Sequence, residues 1–476
     1  MTTSVPPLVV DLDGTLLRTD LLFETAVAYV RHRPLGVLKP IKWFAQGKAK
    51  LKEGLATHTK IDVATLPYNL DVLAVIEQER QQGRRIVLAT ASHDSLALDI
   101  ADHLKVFDEV IATRDLVNLT AGRKRDALIE RFGEKGFDYM GNSHDDLVVW
   151  QSARDAYVVA PERGVEHKAR KHGNVKATIH AHPATYKDWL KALRIHQWMK
   201  NALVFVPLLA AHEFTNASLL YQAIIAFFLF GLCASSVYLL NDLLDLADDR
   251  HHASKRRRPF AAGQLSIKSG LSVFPLLLAA SFGGAAAFLN WEFMTVLLAY
   301  YILTLAYSLH LKRQMAVDVI VLATLYTVRI IAGAIACDLQ ITFWILAFSM
   351  FIFLSLALVK RYAELHEAKK QGKTEKTRGR GYYPADLEII SSLGAASGYL
   401  SVMVLALYIH DQSMASLYAH PQVIWLACPL LLLWITRVWV LTHRGEMHDD
   451  PVVFAVRDRA SLMMGLLFCV VFWVAT

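Results

Sequence analysis

From about residue 190 onward the chain carries one long apolar segment after another, and this pattern constrains the fold more than any other feature. Each segment is close to the ~20 residues that a helix needs to cross the hydrocarbon core of a bilayer. Lys200 and Asn201 interrupt the first of them. The sequence predicts an all-α membrane domain of nine transmembrane helices, formed by residues 193–211, 219–240, 267–289, 293–310, 317–337, 342–360, 389–409, 421–441 and 459–476.

The charges between these segments predict their orientation. Lys and Arg are concentrated in alternate connections, whereas the intervening residues 212–218, 290–292, 338–341 and 410–420 contain neither. Basic residues remain on the cytoplasmic side of a membrane protein. The N-terminal sequence also lacks the basic and apolar regions of a signal peptide. We therefore expect a multi-pass protein of the inner (plasma) membrane whose N-terminal domain and active sites are cytoplasmic.

The net charge of +7 does not indicate nucleic-acid binding. The basic residues cluster in loops that flank the apolar segments, where membrane topology explains them. The four cysteines lie far apart within apolar runs, so they match no metal-binding or disulfide spacing. The expected partners are the lipid bilayer and small phosphorylated substrates; a homo-oligomer is left open.

An acidic cluster is followed directly by a basic one after the second apolar segment. Asp242, Asp245 and Asp249 fall at i, i+3 and i+7, so a helix would project them from one face. Carboxylates grouped in this way suit Mg²⁺, which keeps positions open for substrate phosphates. The basic residues 255–258 could bind those phosphates. The cluster predicts a diphosphate site at the membrane surface; the alternative is a solvated loop that only fixes topology.

The N-terminal part of the chain carries a second set of chemical groups. Asp11 and Asp13 follow a short apolar strand, as in phosphatases in which one carboxylate attacks phosphorus and the other transfers a proton. A second apolar strand reaches Thr90, Lys124 comes later, and a strand-like segment covers residues 137–146. In this order the four pieces resemble the haloacid dehalogenase-like (HAD) superfamily over about residues 5–165.

That resemblance implies a Rossmann-like α/β domain with a small helical cap between about residues 20 and 80. Asp11 would be the nucleophile and Asp13 the general acid/base, while Thr90 and Lys124 would bind the phosphoryl group. The family's usual Gly-Asp is Gly141-Asn142 here. The expected metal ligands are Asp11, Asp13, Asn142 and Asp146. An inactive HAD domain retained for regulation or docking is the alternative.

The apolar segments, together with the motif Asn241-Asp242-x-x-Asp245-x-x-x-Asp249, resemble the UbiA superfamily of intramembrane prenyltransferases over about residues 190–476. Members with aromatic acceptors carry a second Asp-x-x-x-Asp motif, but here Leu322 follows Asp318 at that spacing. Residues 249–259, 307–312, 328–333 and 359–365 resemble in particular the decaprenyl-phosphate phosphoribosyltransferase subfamily, whose members join a polyprenyl monophosphate to phosphoribosyl pyrophosphate.

The resemblance implies roles for individual residues. Mg²⁺ on Asp242, Asp245 and Asp249 would neutralise the pyrophosphate leaving group, with Lys312 assisting. Arg329 is expected near Asp318, either at the substrate or in a salt bridge. Lys360 and Arg361 end a helix, where reaching toward lipid headgroups is an alternative role. The residues expected to bind substrate are Lys200 (for the lipid phosphate), Asn241, Lys255, Arg258, Tyr307, Asp318, Arg329, Lys360 and Arg361.

The sequence thus predicts three parts: a HAD-like phosphatase domain (residues 1–178), a basic interfacial linker helix (179–192) and a UbiA-like transferase domain (193–476). The predicted function is Mg²⁺-dependent transfer of 5-phosphoribose to a polyprenyl monophosphate, followed by removal of the 5-phosphate in the HAD domain. The product would be a lipid-linked pentose for cell-envelope polysaccharide or glycoconjugate synthesis. The alternatives are prenyl transfer to an aromatic acceptor beside a regulatory HAD domain, and a non-catalytic membrane scaffold or transporter.

Overall fold

The computed structural model divides the chain into two compact units. The N-terminal unit comprises residues 1–193 and 238–274, and the helical unit comprises residues 194–237 and 275–476. The boundaries differ from the predicted 1–178, 179–192 and 193–476, because residues 238–274 group with the N-terminal residues. The structure describes residues 5–114, 118–172, 174–180, 184–252, 254–376, 380–411, 418–447 and 450–475.

A parallel six-stranded sheet forms the centre of the N-terminal unit, with strand order β3-β2-β1-β4-β5-β6. Strand β1 pairs with β2 on one side and β4 on the other, so the strand order reverses there. Clefts for ligands open at the carboxyl ends of strands at such a point. The strands are β1 (Leu8–Val10), β2 (Ile86–His93), β3 (Glu109–Thr113), β4 (Asp138–Gly141), β5 (Ala156–Val159) and β6 (Val175–Ile179).

Helices cover both faces of this sheet, which explains why its central strand β1 is a continuous apolar run. Leu8 and Val10 of β1 face one core and Val9 faces the other, as the alternation of side chains along a strand requires. The helices are α1 (Leu21–His32), α2 (Leu38–Ala45), α3 (Lys48–His58), α4 (Leu70–Gln81), α5 (Asp94–Leu104), α6 (Ala121–Phe132), α7 (Leu147–Ser152), α8 (Val165–His172) and α9 (Tyr186–Ala192). The predicted α/β domain is confirmed, and α1 to α3 lie in the chain where the cap is expected.

The helical unit contains the apolar segments. Its α-helices, two of which extend into the N-terminal unit, are α10 (Val206–Ala210), α11 (Ala217–Leu244), α13 (Ile267–Phe288), α14 (Trp291–Leu309), α15 (Val317–Ala336), α16 (Phe343–Lys370), α17 (Leu387–His410), α18 (Ala427–His443), α19 (Pro451–Arg457) and α20 (Arg459–Ala475). The short helix α12 (Leu246–His251) belongs to the N-terminal unit.

Seven helices within the described part of the chain are long and apolar enough to cross a membrane. The pair α19 and α20, bent by 81°, brings the number to eight if it counts as one span. A helical membrane domain is therefore confirmed, but nine helices are not. The first predicted segment forms a 3₁₀ helix, Ile195–Phe205, and then the five-residue α10.

A close contact fixes that 3₁₀ helix to α15. A Cβ atom on Gly333 would collide with the backbone of Val204, so only glycine allows this approach. Lys200 and Asn201 are consequently buried inside the helical unit, where each has a polar partner. Burial of these two polar groups distinguishes this segment from a regular apolar span.

Candidate functional sites

The carboxyl end of β1 carries the predicted phosphatase nucleophile. Lys124 Nζ, on α6, donates to Asp11 Oδ1 at 2.7 Å and to the Tyr139 hydroxyl at 2.9 Å. The Tyr139 hydroxyl in turn donates to Asp146 Oδ1 at 2.7 Å. The structure thus brings Asp11 and Lys124 together across 113 residues of sequence.

Burial and charge set the ionisation of this pair. Burial raises the pKa of Asp11 to about 7, against the lowering effect of Lys124. Burial alone would lower the pKa of Lys124, but the carboxylates of Asp11 and Asp146 outweigh it and leave this pKa raised. Lys124 therefore keeps its positive charge, which suits a residue that binds a phosphoryl group.

Asp13 is held by two donors. The Leu21 amide, at the start of α1, donates to Asp13 Oδ1 at 2.8 Å, and Ser92 Oγ donates to Oδ2 at 2.7 Å. Thr90 is buried, and its Oγ1 accepts the Ser92 amide at 2.9 Å. Thr90 therefore orients Ser92, and Ser92 contacts the motif. Ser92 was not among the predicted site residues, although residues 90 and 92 share one face of a strand.

Asn142 and Asp146 occupy different environments. Thr15 Oγ1 donates to Asn142 Oδ1 at 3.4 Å, and a Cβ on Gly14 (φ +75°) would collide with the Asn142 side chain. Asp146 Oδ2 accepts the amides of Asn142 and Ser143 at 3.0 and 2.9 Å, as a helix-capping residue does. The role of both side chains as metal ligands stays a prediction.

The cap adds a cation that the sequence analysis missed. Lys52 Nζ, on α3, donates to the Ala91 carbonyl at 2.6 Å and to Asn118 Oδ1 at 2.9 Å. Burial lowers the pKa of Lys52, against the opposing effects of Asp13 and Asp20. A neighbouring cavity of about 500 Å³ is lined by Gln46, Gly47, Lys48, Ala49, Lys50 and Asn118.

The predicted diphosphate site follows the end of α11. Asp245 is the N-cap residue of α12, so Asp242 lies on α11 and Asp249 lies on the helix that follows. Arg258 Nη1 still reaches Asp242 at 3.0 Å and Asp249 at 2.7 Å, and Arg31 pairs with Asp245 at 2.9 Å. Burial raises the pKa of Asp249 to about 6, against the effect of Arg258.

These carboxylates fit a divalent cation chemically, since two of them already converge on one positive group. Within the described ranges, no group of three His, Cys, Asp or Glu side chains is arranged to hold a metal ion. Asn241 is half-buried in the last turns of α11, and Lys255 is exposed in the turn Lys255–Arg257. A metal at these carboxylates would compete with the guanidinium groups of Arg31 and Arg258.

A buried ion-pair network surrounds Asp318 at the start of α15. Arg361 Nε lies 2.8 Å from Asp318 Oδ2, and the Tyr307 hydroxyl donates to Oδ1 at 2.8 Å. Arg380 lies 3.6 Å away, and Arg361 also pairs with Glu364. Arg361 is fully buried, so the alternative of reaching toward lipid headgroups is wrong for this residue. Lys312 is half-buried in the turn Leu311–Arg313.

A second network is centred on Asp450, which the sequence analysis did not single out. Asp450 Oδ2 lies 2.6 Å from Lys200 Nζ and 3.1 Å from Lys360 Nζ. The Tyr326 hydroxyl donates to Asp450 Oδ1 at 3.1 Å. Two of the residues expected to bind substrate therefore share one carboxylate.

The predicted proximity of Arg329 to Asp318 is wrong. Both residues lie on α15, three turns or about 16 Å apart, which is too far for contact. Arg329 instead donates to Asn201 Oδ1 at 3.0 Å and to the Tyr300 hydroxyl at 3.1 Å. Its guanidinium also lies over the rings of Phe230, Tyr300 and Tyr326.

A series of apolar helices follows a parallel α/β domain in the chain, and comparisons identify the families of both. Residues 202–474 match the UbiA prenyltransferase family, and residues 8–131 match the haloacid dehalogenase-like hydrolases. The chain belongs to the UbiA prenyltransferase family and carries a HAD hydrolase domain. Both families depend on Mg²⁺.

Two relatives and one solved structure illustrate the similarity. Protein y4nM of Sinorhizobium fredii is 38% identical over 98% of this chain and 91% of its own length. The decaprenyl-phosphate phosphoribosyltransferase of Mycobacterium tuberculosis is 31% identical over 60% of this chain and 92% of its own length. A UbiA homolog from Archaeoglobus fulgidus, bound to DMAPP and Mg²⁺, is 18% identical, with a TM-score of 0.45, over 60% of this chain and 99% of that structure.

Proposed function

We propose that this protein transfers 5-phosphoribose from phosphoribosyl pyrophosphate to a polyprenyl monophosphate, and that its HAD domain then removes the 5-phosphate. The similarity to the mycobacterial decaprenyl-phosphate phosphoribosyltransferase supports the transfer reaction. Asp318 without a second acid four residues later argues against the aromatic-acceptor type. We propose that both reactions take place on the cytoplasmic side, and the distribution of Lys and Arg between the apolar segments supports this orientation.

The observation that carries the proposal is the charge inside the helical unit. Its two networks and Arg329 contain more cations than carboxylates. Uncompensated charge is costly inside a membrane protein unless a ligand or partner of opposite charge is present. Phosphorylated substrates provide that charge. The cations are Lys200, Arg329, Lys360, Arg361 and Arg380, and the carboxylates are Asp318, Glu364 and Asp450.

Lys200 and Lys360 are the proposed ligands of the lipid phosphate. They share the carboxylate of Asp450, so two positive charges face one negative charge. The three side chains together carry a net charge of about +1. A phosphate oxygen can accept hydrogen bonds from both ammonium groups while Asp450 keeps them in place.

The acidic motif, Asn241 with Asp242, Asp245 and Asp249, is proposed to hold Mg²⁺, which would neutralise charge on the departing pyrophosphate. Asn241 would orient this group by hydrogen bonds. Arg258, once displaced from its two carboxylates, would bind phosphate oxygens, together with Lys255. Within the helical unit, Lys312 is likewise proposed to bind phosphate. Tyr307, whose hydroxyl donates to Asp318, is also proposed to bind substrate.

In the HAD domain, Asp11 is proposed to attack phosphorus as the bond to the ribose 5-oxygen breaks. Asp13 gives that oxygen its proton and later takes one from the water that hydrolyses the aspartyl phosphate. Lys124 balances the charge of the phosphoryl group. Ser92 and the Leu21 amide hold Asp13 in position.

The test uses the full-length protein in detergent with Mg²⁺, radiolabelled phosphoribosyl pyrophosphate and a polyprenyl monophosphate. Label should enter the organic phase with wild type, disappear with Asp242→Asn and persist with the control Asp248→Asn, whose side chain is 52% exposed. With Asp11→Asn the labelled lipid should retain its 5-phosphate. Absence of labelled lipid from folded wild type would refute the transfer reaction and favour prenyl transfer from a prenyl diphosphate.

A further inference from the structure

One helix of the HAD cap contacts the acidic motif within the N-terminal unit. Arg31, in the last turn of α1, lies 2.9 Å from Asp245 Oδ1 and 3.8 Å from Asp248. Glu24 lies seven residues earlier, on the same face of α1, and pairs with Arg250 at 2.6 Å. Both members of this second pair are nearly inaccessible to solvent. Two ion pairs of opposite polarity therefore fix the register between α1 and residues 245–250.

Further contacts fix the loop that follows. Arg250 Nε donates to the Ala261 carbonyl at 3.0 Å, and His251 lies 3.0 Å from Asp62. Gly263 has a φ of +68°, and a Cβ there would lie 2.8 Å from Arg18 Cβ. Close packing against Arg18 thus requires glycine. The segment therefore contacts residues of the HAD domain near both of its ends, at residues 245–251 and at Gly263.

The ion pairs place Arg31 in competition with a metal. Arg258 bridges Asp242 and Asp249, and Arg31 pairs with Asp245, the third carboxylate of the motif. Its side chain is 12% exposed, and solvent therefore screens the pair only in part. A divalent cation that binds Asp245 has to displace Arg31 or share the carboxylate with it.

We propose that Arg31 is a residue that the HAD domain supplies to the transferase metal site, where it competes with the divalent cation for Asp245. The inference rests on the proposed assignment of the acidic motif to Mg²⁺. Because binding free energies are reciprocal, the contact of α1 weakens metal binding and the metal weakens that contact by the same factor. Metal loading at the transferase and the position of the phosphatase cap are thereby coupled.

The test measures Mn²⁺ affinity by electron paramagnetic resonance, without turnover. The full chain carries Asp11→Asn and Asp13→Asn throughout, so that the acidic motif is the site titrated. Arg31→Ala should lower the dissociation constant for Mn²⁺ about tenfold, since a charge-assisted hydrogen bond no longer competes. The matched control is Arg33→Ala, two residues further on, where the exposed guanidinium lies over the Tyr29 ring. It should leave the affinity unchanged.

A second variant tests the same coupling without removing Arg31. Gly263→Ala should push the loop away from Arg18 and also tighten Mn²⁺ binding, while the unfolding temperature of the detergent complex shows that the protein remains folded. Unchanged or weaker Mn²⁺ affinity in Arg31→Ala would overturn the inference. So would Mn²⁺ binding that Asp242→Asn leaves intact. If Arg31→Ala tightens binding but wild type forms no labelled lipid, the proposed reaction is wrong and the inference stands.

Discussion

Replacing Asp318 by Asn separates a structural from a substrate-binding role of the network at the start of α15. The substitution keeps the size of the side chain but removes the charge that balances Arg361. Both side chains are 0% exposed, so water cannot solvate the guanidinium that remains. Breaking a buried pair in this way costs about 3–5 kcal/mol. We expect the lower end of that range, because Glu364 still pairs with Arg361.

Three further variants test the predicted loss of stability in Asp318→Asn. Tyr307→Phe removes one hydrogen bond to Asp318 and should cost about 1 kcal/mol. Arg361→Met leaves Asp318 with Arg380 at 3.6 Å and should also destabilise the protein. The double variant Asp318→Asn, Arg361→Met should lose less than the sum of the single variants, with a coupling of about 1–3 kcal/mol.

The assay is unfolding in mixed micelles, followed by tryptophan fluorescence as the fraction of denaturing detergent rises. The matched control is Glu388→Gln, an exposed acid in the first turn of α17, which should change stability by no more than about 0.5 kcal/mol. The structural interpretation is refuted if Asp318→Asn unfolds like wild type but loses transferase activity. That outcome would assign Asp318 to the substrate.

Three further predictions concern the two active sites. Ser92→Ala should lower the phosphatase kcat for an aryl phosphate about tenfold, because Asp13 loses a hydrogen bond; an unchanged kcat would make Ser92 irrelevant to the reaction. Lys200→Met should raise the KM for the polyprenyl phosphate about tenfold and leave that for phosphoribosyl pyrophosphate unchanged, whereas an equal effect on both would contradict its assignment to the lipid. Removal of divalent cations by EDTA should abolish lipid labelling, and Mg²⁺ should restore it; labelling that persists in EDTA would exclude the acidic motif as a metal site.

The sequence predicted those features of the fold that depend on short, contiguous stretches of residues. The strand before Asp11 and the cap position follow from an apolar run, a glycine turn and the order of motifs. The acidic motif was only partly predictable. Asp242 and Asp249 do approach one cation, but the chain leaves the helix at Asp245, which caps the next one. The i, i+3, i+7 spacing assumes one uninterrupted helix and therefore does not predict this break. The break arises from the backbone conformation of Asp245.

Contacts between distant segments were not predictable from spacing. Lys200 and Asp450 are 250 residues apart, and either could have paired with another charge of the helical unit. The same applies to Arg329, whose predicted partner was the nearest acid along its own helix. Hydropathy likewise predicted a membrane span at residues 193–211. The structure instead has a 3₁₀ helix in this segment, in which Lys200 and Asn201 are buried with polar partners.

Four of the carboxylates proposed to bind metal share one property, which is that a basic side chain already pairs with each of them. Lys124 pairs with Asp11, Arg258 with Asp242 and Asp249, and Arg31 with Asp245. Buried carboxylates without a counter-charge would repel one another and destabilise the fold. These ion pairs allow the chain to fold before a metal binds. The same cations lower the affinity for the metal, and once displaced they are available to phosphate oxygens. We therefore expect EDTA to remove activity while leaving the unfolding temperature nearly unchanged, in contrast to proteins whose folding depends on the metal.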